Sequence, residues 1–272
     1  MYQPVTERPA YTFQAGHRPL LISIPHCGTY LPPALVERLT PAARRVPDTD
    51  WHLPQLYAFA QELGASVLAA THSRYVVDIN RPPDGASLYP GQSVTSLCPV
   101  DDFDDVPLYL AGAEPDAEEI ERRRIAVWQP YHDKLAAELE RLTSVHGVAM
   151  LWDAHSIRSV LPRFFTGKLP DFNIGTAQGN SCAQVIQDAV YDCARDAAAD
   201  GFTSVVNGRF TGGFITRHYG QPARNVHAVQ LEMAQSTYMK EEYPFDYRPE
   251  LAARVQPHLQ RMLQATLSFC SK

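Results

Sequence analysis

Short apolar segments rich in branched residues alternate along this chain with segments of helical periodicity, and this alternation limits the folds open to it. The pattern predicts six strands, at residues 20–24, 65–70, 75–79, 148–152, 203–206 and 226–233. It predicts helices between and after them, at residues 54–63, 116–142, 181–199 and 249–269. Strands that alternate with helices favour an α/β fold, a three-layer sandwich around a central mixed, mostly parallel sheet.

Prolines and glycines mark the expected interruptions. Pro130 is predicted to kink or break the helix at 116–142, and Pro257 is a candidate kink in the last helix. Residues 82–115 show no periodicity, and a loop of this length is typical of a lid, a binding loop or a disordered segment. In the glycine-punctuated loop at 208–220, Gly212 and Gly213 are predicted to let backbone approach a ligand, or to form a tight turn. Nothing resembles a linker, so we predict a single domain, residues 1–272.

The charge balance excludes some partners. The 272 residues include 24 basic and 30 acidic side chains, a net charge of −6. Binding to nucleic acid needs a basic surface, so we expect no nucleic acid partner. No stretch of about 18 apolar residues is present, so we predict no membrane span and no membrane partner.

The N-terminal residues lack a secretory pattern and the cysteines are scattered, so we expect reduced thiols and a cytoplasmic protein.

Titratable side chains gather at the carboxyl ends of the predicted strands, where open α/β sheets bind ligands. Four strands end in such residues: His26, then Asp78, Asn80 and Arg81, then Asp153 and His155, then Glu232. Two histidines and one carboxylate form the ligand set of a catalytic zinc, and His26 and His155 are the natural pair.

The carboxylate of that set has two candidates, Asp48 and Asp50, which open the helix after the first strand. An aspartate at a helix start also has a structural explanation as an N-cap, which we prefer for Asp48. Asp153 lies two residues before His155 on the same face of a strand. It can hold the ring of a ligating histidine, or pair with an arginine without any metal.

Glu232 is the candidate general base. At the end of an apolar strand it is expected in a low-dielectric rim, where its pKa rises and it can take a proton from an attacking water. The alternative is a glutamate that pairs with an arginine, and position alone does not separate the two. Thiol catalysis by Cys27 is disfavoured, because neighbours on an extended backbone point to opposite faces and His26 would be a poor base.

Seven segments, in order, resemble the N-formylglutamate amidohydrolase family. They are PHCG at 25–28, PDTDWH at 47–52, SRYVVDINR at 73–81, DAHS at 153–156, NGRFTGG at 207–213, ITRHYG at 215–220 and VQLE at 229–232. Each segment is weakly specific, but the ordered set is highly specific. The resemblance implies hydrolysis of N-formyl-L-glutamate to formate and L-glutamate, the last step of one route of histidine degradation. It also implies kinship with zinc carboxypeptidases and aspartoacylase, which share a mixed sheet and a zinc held by two histidines and a carboxylate.

Carried over by position, the resemblance implies that His26 and His155 are the zinc histidines. In the carboxypeptidases the carboxylate ligand follows the first histidine by three residues, and here that position is Thr29, which cannot replace it. We therefore predict Asp50 as the third ligand of one divalent metal ion, with zinc as the first choice. His52 is the alternative, since imidazole also suits zinc.

The resemblance also implies roles around the metal. Glu232 is similar to the general base, and Asn80 with Arg81 is similar to the pair that grips a substrate carboxylate. The expected substrate is a small dicarboxylate, which an acidic protein must bind with local arginines; the others in the matched segments are Arg74, Arg209 and Arg217. Two other functions stay open: an amidase for another N-acyl amino acid, and a non-catalytic metal- or anion-binding protein, which needs no base.

Overall fold

The computed structural model describes residues 8–86 and 95–270, and within them a seven-stranded sheet forms the centre of the molecule. In chain order its strands, β1 to β7, are Tyr11–Gln14, Leu20–Ile24, Ser66–Ala70, Ala149–Ile157, Phe172–Gly175, Ser204–Val206 and Val226–Ala234. They lie in the order β1-β3-β2-β4-β7-β5-β6. Strands β2, β3, β4 and β7 are parallel, whereas β1 and the β5–β6 pair run against them. The predicted mixed, mostly parallel sheet is confirmed.

Helices cover both faces of the sheet. The α-helices of the described part, α1 to α7, are Pro33–Val36, Leu53–Leu56, Ala117–Arg123, Gln129–His146, Gln184–Asp196, Phe214–Tyr219 and Pro249–Phe269. Successive residues of β4 point to opposite faces. Trp152 therefore joins the core formed with α5 and α7, and Leu151 joins the core formed with α4. This is the predicted three-layer sandwich.

Pro130 does not break its helix. A π-helical segment, Arg124–Trp128, lies between α3 and α4, and Pro130 follows it in the first turn of α4. In a regular helix the proline ring clashes with the carbonyl four residues before it, and the wider π turn relieves that clash. Pro257 lies inside α7, which continues through it. No helix of the described residues is long and apolar enough to cross a bilayer.

The predicted strand at 75–79 is wrong. These residues form turns and irregular backbone, although Tyr75, Val76 and Ile79 are buried. Their backbone groups bond outside any ladder: Asp78 N donates to Leu97 O, and the guanidinium of Arg123 donates to Val76 O. A short apolar run packed under a helix has the same pattern as a buried strand.

Other boundaries also differ from the predictions. The helix at 54–63 is reduced to α2 and a 3₁₀ turn, Ala58–Ala60, and α5 begins at Gln184 with Ala183 as its N-cap. The predicted loop at 208–220 contains α6, and strands β1 and β5 were not predicted. Between 82 and 115, the described residues form no helix or strand, and 87–94 lie outside them. Strand β4 runs five residues past its predicted end at 152, which places Asp153 and His155 inside it.

Candidate metal centre and active-site cleft

A cleft opens at the edge of the sheet where β2, β4 and β7 end. His26 follows β2, His155 lies near the end of β4, and Glu232 lies near the end of β7. The cleft is lined by His26, Asp50, Arg74, Asn80, Arg81, Phe103, His155, Ser156, Ile157, Phe164, Arg209, Phe210, Gly213, Gln230 and Glu232. The edge at which the sequence predicted a site is therefore the wall of a cavity.

Three buried side chains converge in this cleft: His26, Asp50 and His155. Each offers one ligand atom, and these atoms lie within 4.8 Å of one another. Asp50 Oδ2 is 3.2 Å from His155 Nδ1 and 3.8 Å from His26 Nδ1, and the two ring centroids are 4.9 Å apart. Asp50 is positioned by its own N–H, which donates to His26 O, and by Ser156 N–H, which donates to Oδ2. The predicted triad is close enough to share one ion.

The opposite nitrogen of each imidazole faces a second carboxylate. His26 Nε2 is 2.7 Å from Asp78 Oδ1, and His155 Nε2 is 3.2 Å from Asp153 Oδ2. A proton held on Nε2 of His26 by Asp78 leaves its Nδ1 free of a proton, as a metal ligand must be. Nε2 of His155 also lies 3.0 Å from the amide donor Asn80 Nδ2. Asp153 stands where the sequence predicted a supporting carboxylate, and Asp78 stands in the same relation to His26.

Asp78 is kept ionised by cations. Burial acts to raise the pKa of its carboxyl, but Arg74, Arg81 and His26 outweigh burial and hold the pKa well below its ordinary value. Arg74 Nη2 donates to Asp78 Oδ2 at 2.6 Å, and Asn80 N–H donates to Oδ1. Burial and the neighbouring Arg74 lower the pKa of His26. A neutral imidazole backed by a carboxylate suits a divalent cation, so the donor set fits a metal of the zinc type.

Two residues of the segment 47–52 lie outside the triad. His52, the alternative ligand, donates from Nε2 to Phe245 O and is not part of the group of converging ligand atoms. Asp48 is not an N-cap, because α2 is preceded by His52. Instead, Asp48 Oδ2 accepts from Tyr75 O–H and Phe103 N–H, and burial raises the pKa of this carboxyl to about 7.

Glu232 faces the triad from the neighbouring strand. It is paired in register with His155 across the parallel β4–β7 ladder. Burial raises the pKa of its carboxyl to about 8. Among the described residues no arginine lies within salt-bridge distance of it, and its carboxylate makes no hydrogen bond. The structural alternative for Glu232, an ion pair with arginine, is therefore absent from the described part of the chain.

The four predicted arginines differ in position. Arg74, Arg81 and Arg209 line the cleft, and Arg217 is not among its lining residues. Arg81 donates to Thr95 O, Thr95 Oγ1 and Asn80 O. Arg217 Nε donates to Gly212 O, and its Nη2 donates to Thr211 Oγ1. Arg217 thus holds the loop before α6.

A comparison with known protein families identifies the family of this chain. A profile of the N-formylglutamate amidohydrolase family matches residues 18–239. The chain belongs to this family. It is 52% identical over 258 residues to an N-formylglutamate deformylase of Pseudomonas putida, with 95% of this chain and 96% of the relative covered. A deformylase of the same name from Pseudomonas aeruginosa is 53% identical at the same coverage.

Solved structures agree on the fold of the family. The crystal structure of N-formylglutamate amidohydrolase from Ralstonia eutropha JMP134 superposes with a TM-score of 0.80, at 23% identity, covering 97% of this chain and 98% of that one. At that identity the superposition speaks for the fold alone. Membership in the amidohydrolase family, together with the identity to curated relatives, establishes the chain as an amide hydrolase.

Several lining residues of this family member escaped sequence reasoning. Phe103, Phe164 and Phe210 form an aromatic wall, and Arg74 and Arg209 lie over its rings. Gln230 carried a usable signal, because it lies two residues before Glu232 and so shares its face of β7. Gly213 lines the cleft, and a Cβ there would lie 2.3 Å from Asn80 Nδ2, so the close approach present in the structure is to a side chain.

Proposed function

We propose that this chain hydrolyses N-formyl-L-glutamate to formate and L-glutamate, using one zinc ion. The curated relatives carry the name of that activity at 52% and 53% identity over nearly the whole chain. The observation that carries the chemistry is the buried Glu232 carboxylate, in register with His155 beside a triad of ligand atoms. A binding protein has no need of such a group.

His26, Asp50 and His155 would hold the metal. Their two imidazole nitrogens and one carboxylate oxygen match the ligands that catalytic zinc prefers, and leave a position for the reactants. When bound, zinc would supply Lewis acidity and a lowered pKa for the attacking water. Asp78 and Asp153 would orient the two imidazoles through their Nε2 atoms, which is the usual part of carboxylates behind metal histidines.

Glu232 would act as the general base. It would accept a proton from the attacking water on its carboxylate and deliver that proton to the nitrogen of the leaving glutamate. Its raised pKa suits the second transfer, from Glu232 to the leaving nitrogen, because a carboxyl with a pKa of about 8 holds a proton long enough to donate it. The absence of an arginine partner among the described residues leaves the carboxylate free to face the reactants.

Arginines would hold the two carboxylates of the substrate and the developing oxyanion. Arg81 and Arg209 line the cleft, and Arg81 keeps N–H groups beyond those that bind Thr95 and Asn80. Arg74 also lines the cleft, so we assign its guanidinium to the oxyanion. We give Arg217 a supporting role, since its guanidinium binds the loop at Thr211 and Gly212.

We further propose that the reaction serves histidine degradation in the cytoplasm. The family resemblance makes hydrolysis of N-formylglutamate the last step of one histidine-degradation route. The five cysteines are all free thiols, which suits a reducing compartment.

The proposal is tested by assaying formate release from N-formyl-L-glutamate while the metal content of the purified protein is measured. We expect about one zinc per chain, loss of activity after chelation and recovery on adding zinc back. N-acetylglutamate and N-formylalanine, offered in parallel, examine the acyl group and the side-chain carboxylate. Formate release that survives complete removal of metal would overturn the metal assignment. A higher kcat/KM for either analogue than for N-formylglutamate would overturn the substrate assignment.

A further inference from the structure

Gln230 is the one uncharged amide on the same face of β7 as Glu232. It lines the cleft, yet its side chain and backbone together are only 3% exposed. The residue therefore belongs to the floor of the cavity rather than to its rim.

The orientation of this amide is fixed by the backbone. Gly213 N–H donates to Gln230 Oε1 at 2.7 Å. A backbone N–H can only donate, so the atom it meets is the oxygen, and Nε2 occupies the other position. Within the described residues Nε2 makes no hydrogen bond, and it is not among the fully enclosed polar atoms without partners. A buried N–H donor left unpaired costs free energy, so this one is available to a ligand acceptor.

The side-chain amide of Asn80 is also oriented by a backbone N–H at the start of α6. Ile215 N–H donates to Asn80 Oδ1 at 2.8 Å, and a Cβ at Gly213 would lie 2.3 Å from Asn80 Nδ2. The start of α6 therefore contacts both amides. Gln230 and the Asn80–Arg81 pair line the same cleft.

We propose that Gln230 is a substrate-binding residue, whose Nε2 donates a hydrogen bond to the same substrate carboxylate that Arg81 binds. This inference rests on the proposed function, because it takes a dicarboxylate as the substrate. Gln230 thereby distinguishes a carboxylate from a neutral group at that end of the substrate, since a second donor beside a guanidinium favours an anion.

Two substitutions separate donation to the substrate from a purely structural contact. Gln230→Glu keeps an acceptor for Gly213 N–H but replaces the donor by a negative charge. Gln230→Met removes both functions at similar volume. We expect Gln230→Glu to raise KM for N-formylglutamate by about 10- to 100-fold, the range for a hydrogen bond to a charged group, and to exceed the effect of Gln230→Met. The opposite order, with Gln230→Glu close to wild type, would reduce Gln230 to a support for Gly213.

The two monoamides of N-formylglutamate identify the partner of the donor. Each replaces one carboxylate by a neutral amide, which can itself donate to a carboxylate in the Gln230→Glu variant. We expect this variant to shift its preference toward one monoamide by at least about tenfold relative to wild type. An equal penalty on the dicarboxylate and on both monoamides would overturn the proposal, because the donor would then not meet a carboxylate.

Controls keep this test distinct from the test of the function itself. Wild-type formate release reports on the proposed function, and only the ratio of variant to wild type reports on Gln230. Gln187→Glu makes the same charge change at a residue that binds Thr176 and is not a lining residue, and we expect its KM to match wild type. If Gln230→Glu does not fold, Gln230→Asn takes its place, because the shorter side chain withdraws the donor by one methylene. We expect Gln230→Asn to raise KM at unchanged zinc content. An unchanged KM would overturn the proposal.

Discussion

At one end of the cleft each imidazole ring contacts a carboxylate. At the other end a guanidinium donates hydrogen bonds to neutral oxygens of nearby loop residues. His26 and His155 contact Asp78 and Asp153, and all four are buried. Arg81 instead donates to the oxygens of Thr95 and Asn80. We call the first group, with Asp50, the metal end, and the second, with Arg209 and Gln230, the anion end. Asn80 joins the two, since its Nδ2 lies 3.0 Å from His155 Nε2 and it precedes Arg81.

The difference separates two ways of holding charge. At the metal end, charges of opposite sign are buried together, so the loss of one partner leaves the other unpaired in a low-dielectric site. At the anion end, neutral oxygens take the hydrogen bonds of the Arg81 guanidinium, and Asp78 Oδ2 is farther away, 3.8 Å from Nη2. Substitutions at the metal end are therefore expected to affect metal and structure together, and those at the anion end to affect substrate binding alone.

The largest expected effect comes from Glu232, which lies between the two ends. Glu232→Gln keeps the shape of the side chain but removes its basicity, so kcat should fall by at least about 10²-fold. Zinc content and thermal stability should stay at wild-type values. Kinetics at saturating substrate, with metal analysis on the same sample, make the measurement. Near-normal turnover would move the base elsewhere, with Asp153 as the next candidate.

The second prediction concerns Asp78, the carboxylate that contacts the imidazole of His26 at the metal end. Asp78→Asn should lower zinc affinity by about 10- to 100-fold, because His26 loses the carboxylate that orients its ring and Arg74 loses its buried counter-ion. Competition with a chromogenic chelator measures the affinity. Asp192→Asn is the control, since Asp192 forms an exposed pair with Arg195 on α5. Unchanged zinc affinity in Asp78→Asn would remove Asp78 from the metal end.

The third prediction concerns the anion end. Arg81→Ala should lower kcat/KM for N-formylglutamate by about 10- to 100-fold, since a hydrogen bond to a charged group is lost, while zinc content is unchanged. Arg81→Lys should recover only part, because an ammonium lacks the planar fork. Arg217→Ala should cost less, since Arg217 binds Gly212 and Thr211.

The contrary result for Arg81 is a sharp loss of thermal stability with kcat/KM intact in the folded fraction. Arg81 would then be a structural partner of Asp78, whose Oδ2 lies 3.8 Å from Arg81 Nη2. The anchoring of the substrate carboxylate would pass to Arg209.

The smallest effect on activity is expected beneath the anion end, where helix α4 supports the loop of Asn80 and Arg81. His132 Nε2 lies 2.8 Å from Ile79 O, and Trp128 Nε1 donates to Arg81 O. Burial lowers the pKa of His132 to about 4 from the 6.5 of an unfolded chain. The unfolded state therefore binds the extra proton, and the stability gained from neutral His132 is complete above pH 6.5 and lost as the pH falls toward 4.

This loss amounts to about 3 kcal/mol for His132 alone. Urea unfolding at pH 7 and pH 4.5 measures it as the difference between wild type and His132→Gln, whose amide can still donate to Ile79 O. We expect the variant to be less stable than wild type at pH 7 and to lose less stability on acidification. His17→Gln, at an exposed histidine, serves as the control. Equal acid sensitivity of His132→Gln and wild type would contradict the assignment.

Much of the metal end could be predicted from sequence, because local patterns placed its residues on elements that share one edge. His26 follows a strand that is apolar at four of its five residues, and Asp153 and His155 alternate within another, so their faces were fixed by the two-residue period. The anion end was less predictable. Residues 75–79 have the pattern of a strand, yet their backbone bonds to Leu97 and Arg123, which are distant in sequence.

Sequence by itself determined the alternating elements, the mixed sheet and the identity of the residues at its carboxyl edge, since hydrophobic period and residue chemistry are local properties. Only the tertiary structure decided what those residues meet. Asp78 reaches His26 across 52 residues, and Gln230 is oriented by Gly213 across 17. Arg217 donates to Gly212 of its own loop, although it lies, like Arg81, in a segment that resembles the family. The direction of a side chain depends on partners that the fold brings together, and no local pattern records them.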